Sequence, residues 1–362
     1  MKCLRCGTDS KYKDRTNRTC PKCHAKFVFE PKDGDPVTDM LFQNAVKAVS
    51  GDGKVRWGVE NLYYEVCRRK RPKKAPRLAV FGCLGVIVFI ATLILTLAKP
   101  PGVLYGFAFV ATVVFLVMAF SRRRRYTVPM DLKTFNGLWE RWHGVQSSPG
   151  LIVRKPQPAK PKKLEADIGD YSFDRAVICD RARTVDLLVA NNFHFENNCA
   201  VLSVDGYPKG PFETIKAMLK RNPKLQVFAI HDATPAGCRM APTLANDPDW
   251  FDGKLRVIDL GLRPNHAGPF DGLLLDADGP RVDPTDGISE AEAEWLSRYK
   301  LELAAIRPEQ VLKRLFHGLG AHKGDPTTSA GTDGGVVYCG SFEAGGGGDG
   351  GDGGDGGADA FG

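Results

Sequence analysis

The sequence predicts a multidomain membrane protein. A cysteine-rich metal module leads into a two-helix transmembrane hairpin, a cytoplasmic α/β domain with a parallel sheet, and a disordered Gly/Asp-rich tail. Three observations predict this order. Two uncharged apolar runs, 78–98 and 102–120, are separated only by Lys99, Pro100 and Pro101. Two Cys-x-x-Cys pairs open the chain, at Cys3/Cys6 and Cys20/Cys23. Beyond residue 170, short β-rich apolar runs alternate with amphipathic segments of helical spacing.

At about 1.5 Å per residue, each apolar run covers the roughly 30 Å hydrocarbon core of a bilayer, which predicts helices at 78–98 and 102–120. Arg68, Arg69, Lys70, Arg71, Lys73, Lys74 and Arg77 precede the first run, and Arg122 to Arg125 follow the second. The positive-inside rule then places both termini in the cytoplasm of an integral inner or plasma membrane protein. Anionic lipid headgroups are the partners expected for these flanks. A buried helical hairpin of a globular core is the alternative. The net charge of +8 implies nucleic acid only if it spreads over a folded face, and much of it sits beside the apolar runs. No secretory signal opens the chain. Ten cysteines in a chain read as cytoplasmic stay reduced, so metal ligation is considered before disulfides.

Cys3, Cys6, Cys20 and Cys23 form two pairs thirteen residues apart. Each short loop aims two thiolates at one ion, and two loops close a tetrahedral four-cysteine site with no open position, which predicts a structural zinc. Residues 1–32 resemble the zinc-ribbon family, with Phe27, Val28 and Phe29 continuing a small strand. So short a segment needs its metal to fold. Cys20-x-x-Cys23-His24 also fits c-type haem attachment, a reading that leaves the first pair unexplained. A redox dithiol lacks the surrounding βαβ unit.

Residues 38–70 read as a small helical module, two helices around a Ser50-Gly51-Asp52-Gly53 turn, with Cys67 as a packing residue. Cys83, in the first apolar run, also has no partner spacing. Residues 126–164 hold a helix near Leu132 to His143 and a Pro- and Lys-rich linker. In 165–285, strands are predicted at Ala176–Cys179, Ala200–Val204, Val227–Ile230 and Arg256–Leu260. Helices are predicted at Thr184–Asn191 and Phe212–Lys220. Ligands of such sheets gather beyond the carboxyl ends of the strands. Asp180, Asp205 and Gly206, His231 and Asp232, and Gly261 follow the strands in turn. The competing reading is that each Asp caps a helix or turn.

The segment Val227-Phe-Ala-Ile-His-Asp-Ala-Thr-Pro-Ala-Gly237 resembles the Asp-x-Asp-x-x-Gly element of Toprim domains, found in topoisomerases and primases. Arg256-Val-Ile-Asp-Leu-Gly-Leu-Arg-Pro264 looks like the strand that follows it. The resemblance implies a Toprim-like α/β fold over about 170–265, with Mg²⁺ held by Asp180 and Asp232 for phosphodiester chemistry. Asp180 stands where that family has Glu, and Thr234 replaces its second aspartate, so one charge that a hard cation wants is missing. Glu196, in the cluster His194-Phe-Glu196-Asn-Asn198-Cys199, is the candidate substitute. His194 or His231 is the candidate general base. The catalytic set to be tested is Asp180, Asp232, Glu196 and His231. Cys179, Cys199 and Cys238 are expected to be packing residues.

Ser289 with Glu292 predicts a capped helix running to about Ile306, and Pro308 opens another, making 286–320 a pair of carboxyl-terminal helices. From 324 to 362 the Gly/Asp-rich composition predicts a disordered tail, one that contacts the chain's own basic patches. The function expected first is a binding or regulatory role for the α/β domain, with protein or nucleic acid as partner. A metal-dependent phosphodiester or phosphoryl-transfer enzyme acting on nucleic acid is the alternative. A lipid-proximal scaffold is the third reading.

Overall fold

The computed structural model describes residues 1–71, 127–153, 173–222, 224–321 and 336–338. Helix α1 (Asp39–Val49) opens where the Thr38 hydroxyl accepts the Leu41 amide at 3.2 Å. Its apolar side, Phe42, Ala45, Val46 and Val49, is fully buried. Helix α2 (Val59–Lys70) follows the Ser50–Gly53 turn. Helix α3 (Leu132–His143) is capped by Asp131, which accepts the Thr134 amide at 2.9 Å. Periodicity predicted all three, because Phe42, Leu62, Phe135, Leu138 and Trp142 recur at helical spacing on buried faces. Their aromatic rings interlock. Phe42 and Trp142 lie 4.8 Å apart between centroids, Tyr63 and Phe135 5.2 Å, and Phe29 stacks on Trp142 at 5.8 Å.

The α/β domain begins with β1 (Arg175–Cys179), followed by α4 (Ala182–Ala190), the short α5 (Phe193–Glu196) and β2 (Cys199–Ser203). Next come α6 (Phe212–Arg221), β3 (Gln226–Ile230), α7 (Pro235–Asn246) and β4 (Val257–Asp259). A two-stranded antiparallel pair, β5 (Leu275–Asp276) with β6 (Tyr299–Lys300), brackets α8 (Glu290–Leu296). The chain then forms α9 (Pro308–Ala321) and an edge strand β7 (Val336–Tyr338). The sheet order is β2-β1-β3-β4-β7, parallel throughout. Strand residues alternate between two cores. Val177, Cys179, Phe228 and Ile230 join the core shared with Val185, Leu188 and Leu315. Ala176, Ile178, Val227 and Ala229 join the core shared with Leu219, Leu244 and Phe251. Helices therefore cover both faces, as a parallel sheet requires.

The helical module docks on this domain. The first core runs without interruption from Phe29 and Phe42 through Leu62 to Ile230 and Leu315. Glu65, 1% exposed, anchors the seam: it pairs with Arg307 at 3.0 Å, Arg69 at 3.1 Å and Arg68. The Asn61 amide donates to the Ala304 carbonyl at 3.2 Å, and the Tyr64 hydroxyl to Glu302 at 3.1 Å.

Four expectations are corrected. Among the described residues no helix is long and apolar enough to cross a membrane, and the runs 78–98 and 102–120 lie outside the described residues. The longest described helix, α9, has 14 residues, about 21 Å and short of a bilayer core. Among the described residues the fold is thus a cysteine module joined to a parallel-sheet α/β domain, and they do not support integral-membrane placement. Part of the basic flank has another use, since Arg68 and Arg69 pair with Glu65 and Arg71 donates to the Asp271 carbonyl. The helix opened by Ser289 ends at Leu296 instead of Ile306. There Leu301 leaves helical geometry to exchange backbone hydrogen bonds with Ala233, at 2.8 and 3.2 Å. Finally, within the segment 324–362, residues 336–338 form β7 beside β4.

Candidate functional site

Two places carry chemistry. The first is the cysteine module. Each Cys-x-x-Cys loop closes by a backbone bond, from Gly7 N–H to Cys3 O at 2.9 Å and from His24 N–H to Cys20 O at 3.0 Å. Both closing residues have positive φ, +72° at Gly7 and 55° at His24, the turn that curls the loop around its thiols. The four sulfurs lie within 4.8 Å of one another, with Cys3–Cys23 and Cys6–Cys20 each at 3.6 Å. Four sulfurs each 2.3 Å from a central ion stand about 3.8 Å apart, so the cluster matches a tetrahedral thiolate site. These cysteines are close enough to hold one metal ion. The Thr8 hydroxyl and amide pull the Cys6 thiol down to about 6. Although the Ala25 amide opposes it, burial and the neighbouring thiols push Cys23 up to about 12. A cation at the centre relieves that crowding of charge. All four sulfurs converge, leaving no separate pair for haem attachment.

The module is held from below. Arg15 and Glu30, both buried, form a two-pronged pair at 2.9 and 3.0 Å. Asp39, at the start of α1, accepts the amides of Val28 at 3.0 Å and Phe29 at 2.8 Å. This fixes the segment that leaves the metal module against the helices, where the strand expected over Phe27, Val28 and Phe29 does not form.

The second place is the carboxyl edge of the sheet. Between β1 and β3 the order reverses direction, so the loops after these strands diverge and leave a crevice. A cleft of about 660 Å³ lies there, lined by Asp180, Arg181, Asp205, Thr234 and Gly237, with Met240, Leu244 and Trp250 as its apolar wall. Asp180 accepts the Asp232 amide at 2.8 Å through Oδ2, while its buried Oδ1 has no hydrogen-bond partner. Burial first, then the Asp232 charge, push its carboxyl up to about 7.

Asp232, 1% exposed, is fully engaged by protein. Its Oδ2 accepts Arg181 Nε at 2.8 Å and Arg183 at 3.2 Å, and its Oδ1 accepts the Leu303 amide at 2.6 Å. His231, wholly buried, bridges the Asp232 carbonyl at 2.8 Å (Nδ1) and Asp259 at 2.9 Å (Nε2). The carbonyl accepts, and an ionised Asp259 accepts as well, so this arrangement favours the protonated imidazole. Burial opposes that charge, but the Asp259 hydrogen bond and charge raise the pKa above its ordinary value. Asp259 also accepts Gly261 N–H at 2.8 Å and Arg263 at 3.1 Å. Burial would raise its carboxyl, but His231 and these donors hold it below the usual range. Arg263 then clamps Glu292 at 2.8 and 2.9 Å, tying β4 to α8. Gly261 is required here, because a Cβ would fall 2.3 Å from the His231 ring.

Asp180, His231 and Asp232 come together as the sequence predicted. Glu196 does not join them. It ends α5, three residues before β2 begins, and β2 spans five residues, about 17 Å. Glu196 and His194 therefore occupy the amino edge of the sheet, opposite Asp232. Thr234 caps α7, accepting the Gly237 amide at 3.1 Å, and is no replacement ligand. His231 is bonded at both nitrogens, which leaves no site for a general base. Among the described residues, the four cysteines are the only group of three or more His, Cys, Asp or Glu side chains close enough to share a metal ion. Sequence reasoning missed Arg181, Arg183, Asp259 and Arg263. The available signals were the Asp180-Arg181-x-Arg183 run and the Asp259-x-x-x-Arg263 spacing. Cys179, Cys199 and Cys238 are buried, and burial pushes the thiols of Cys199 and Cys238 up to about 12, as expected of inert packing residues.

These shifts set a pH dependence. His231 has a folded pKa above its unfolded value of 6.5, and Asp180 has one of about 7 against 3.8. Each contributes stability that is complete below its unfolded pKa and is lost as pH rises through the folded one. Asp259, held below 3.8, titrates below this range. Stability therefore falls as pH rises from about 4 to 7 through Asp180, and also above 6.5 through His231. Asp180→Asn removes its share, so between about pH 4 and pH 8 the urea midpoint of the wild type falls by more than that of the variant.

No protein-family model matches the chain, and neither does any curated protein or any solved structure.

Proposed function

We propose that the chain is a zinc-ribbon protein whose Toprim-like α/β domain serves as a binding or regulatory module. The single observation that supports this reading is the state of Asp232. Both of its oxygens are taken by Arg181, Arg183 and the Leu303 amide, so the aspartate that would hold Mg²⁺ instead ties the loops after β1 and β3 to the segment leading into α9. A hard cation prefers several free oxygens. Of the Asp180/Asp232 pair, only one buried oxygen of Asp180 lacks a partner. The ligand of the module enters the cleft of about 660 Å³ over the switch point. The zinc is structural, with four thiolates and no vacant position.

A second reading, a metal-dependent phosphoryl-transfer enzyme, draws on that unpartnered Asp180 oxygen. It requires Arg181, whose side chain is 46% exposed, to swing away and release Asp232. The test is incubation of the full chain with single- and double-stranded nucleic acid in Mg²⁺ or Mn²⁺. No cleavage is expected. Cleavage that disappears in both Asp180→Asn and Asp232→Ala, with each variant still folded by circular dichroism, would establish the enzyme instead.

A further inference from the structure

The outer surface of the cysteine module has no role in the α/β reading. Residues 1–32 contain nine Lys and Arg against three Asp and Glu. The buried pair Arg15–Glu30 cancels internally, and Arg18 is matched by Asp33 at 2.8 Å. Of the acids, Asp9 is taken by the amino terminus at 2.6 Å. Arg5, Lys11, Lys13, Lys22, Lys26 and Lys32 all stand exposed. A zinc ion with four thiolates contributes a formal charge of about −2, which this surplus exceeds.

The cations are placed around the metal. Arg5 lies inside the first Cys-x-x-Cys loop and Lys22 inside the second, and both loops converge on one ion. Arg5 and Lys26 line the same groove of about 400 Å³, whose apolar lining includes Leu4, Ala25, Phe27 and Val145. Val145 is 53% exposed there. Tyr12, 50% exposed, stands between Lys11 and Lys13. Cations flanking an apolar slot form a backbone track with a surface for stacking. A duplex keeps its bases stacked inside and has no use for the slot.

We infer that this face binds single-stranded nucleic acid, with phosphates on Arg5, Lys22 and Lys26 and a base in the groove beside Val145. The inference rests on the cysteine module holding its zinc and is independent of the α/β domain's ligand. It is tested on the zinc-loaded full chain by fluorescence anisotropy with a labelled 20-nucleotide oligo(dT) over a KCl series. Three phosphate contacts predict a log–log salt slope near −2. The triple variant Arg5→Ala, Lys22→Ala, Lys26→Ala loses about 10-fold or more in affinity at 50 mM KCl and nearly all of that slope, while Lys133→Ala with Lys224→Ala changes neither. Val145→Glu, which leaves those three cations in place, also weakens binding. Unchanged binding by the triple variant with zinc retained, tighter binding to a duplex of the same length, or no binding by the zinc-loaded wild type overturns the inference. Failure of the metal reading is seen separately, as absence of zinc by native mass spectrometry.

Discussion

Chelation of the metal, or Cys20→Ser, unfolds residues 1–32 and loosens the helices beneath them. The module has little core of its own. Cys3, Cys20 and Phe27 make up the buried cluster around the site, far less than the apolar area a stable domain needs. In comparable thiolate sites the metal contributes about 10–16 kcal/mol of apparent binding free energy at neutral pH, all of it coupled to folding. Loss of that contribution leaves the Arg15–Glu30 pair without its buried setting and removes the order that holds Val28 and Phe29 on Asp39. Phe29 stacks on Trp142, so near-ultraviolet circular dichroism reports the damage directly. The expected result is rapid proteolysis within 1–32, a changed tryptophan signal, and a parallel sheet that persists. Unchanged protease resistance after complete removal of metal would show that the module folds without it.

Asp232→Ala destabilises the folded chain by about 3 kcal/mol, at the low end of the range for breaking a buried pair. The substitution leaves the Leu303 amide without an acceptor and removes the shared partner of Arg181 and Arg183. Arg181 is half exposed and rehydrates, and Arg183 keeps Glu302 at 3.2 Å, which is why the cost stays below the top of that range. The sign discriminates between the two readings of the carboxyl edge. In an empty metal site, neighbouring carboxylates repel, and deleting one relieves the repulsion. In the arrangement found here, deletion breaks a lock. Urea denaturation at neutral pH without divalent ions therefore gives a lower midpoint for the variant, and a higher one would restore Asp232 to a metal-binding role.

The parts of the fold that were legible in the sequence share one property, local periodicity. Helix α3 has the predicted bounds because Asp131 caps it and Phe135, Leu138 and Trp142 share one face. Strands β1 to β4 lie within a residue or two of their predicted places, since β-branched and apolar runs fill both faces of a covered sheet. The four cysteines were legible because two short loops converging on one ion need little else. The rest depended on contacts distant in sequence. Glu196 and Asp232 both follow apolar stretches, yet they lie at opposite edges because one precedes a strand and the other follows one. The end of α8 at Leu296 depends on backbone pairing between Leu301 and Ala233. The engagement of Asp232 by Leu303, 71 residues away, leaves no local trace at all. The membrane hairpin was inferred from run length, and among the described residues no helix is long and apolar enough to support it.

The occupied state of Asp232 is tested most directly by isothermal calorimetry of Mn²⁺ binding to the full chain with its cysteine site already filled, compared with Asp180→Asn and Asp232→Ala. The account predicts no specific Mn²⁺ binding in the millimolar range for the wild type, because Arg181 and Arg183 already neutralise the carboxylate. Stoichiometric binding by the wild type that is lost in both variants would contradict it and place a metal-dependent active site at the carboxyl edge of the sheet.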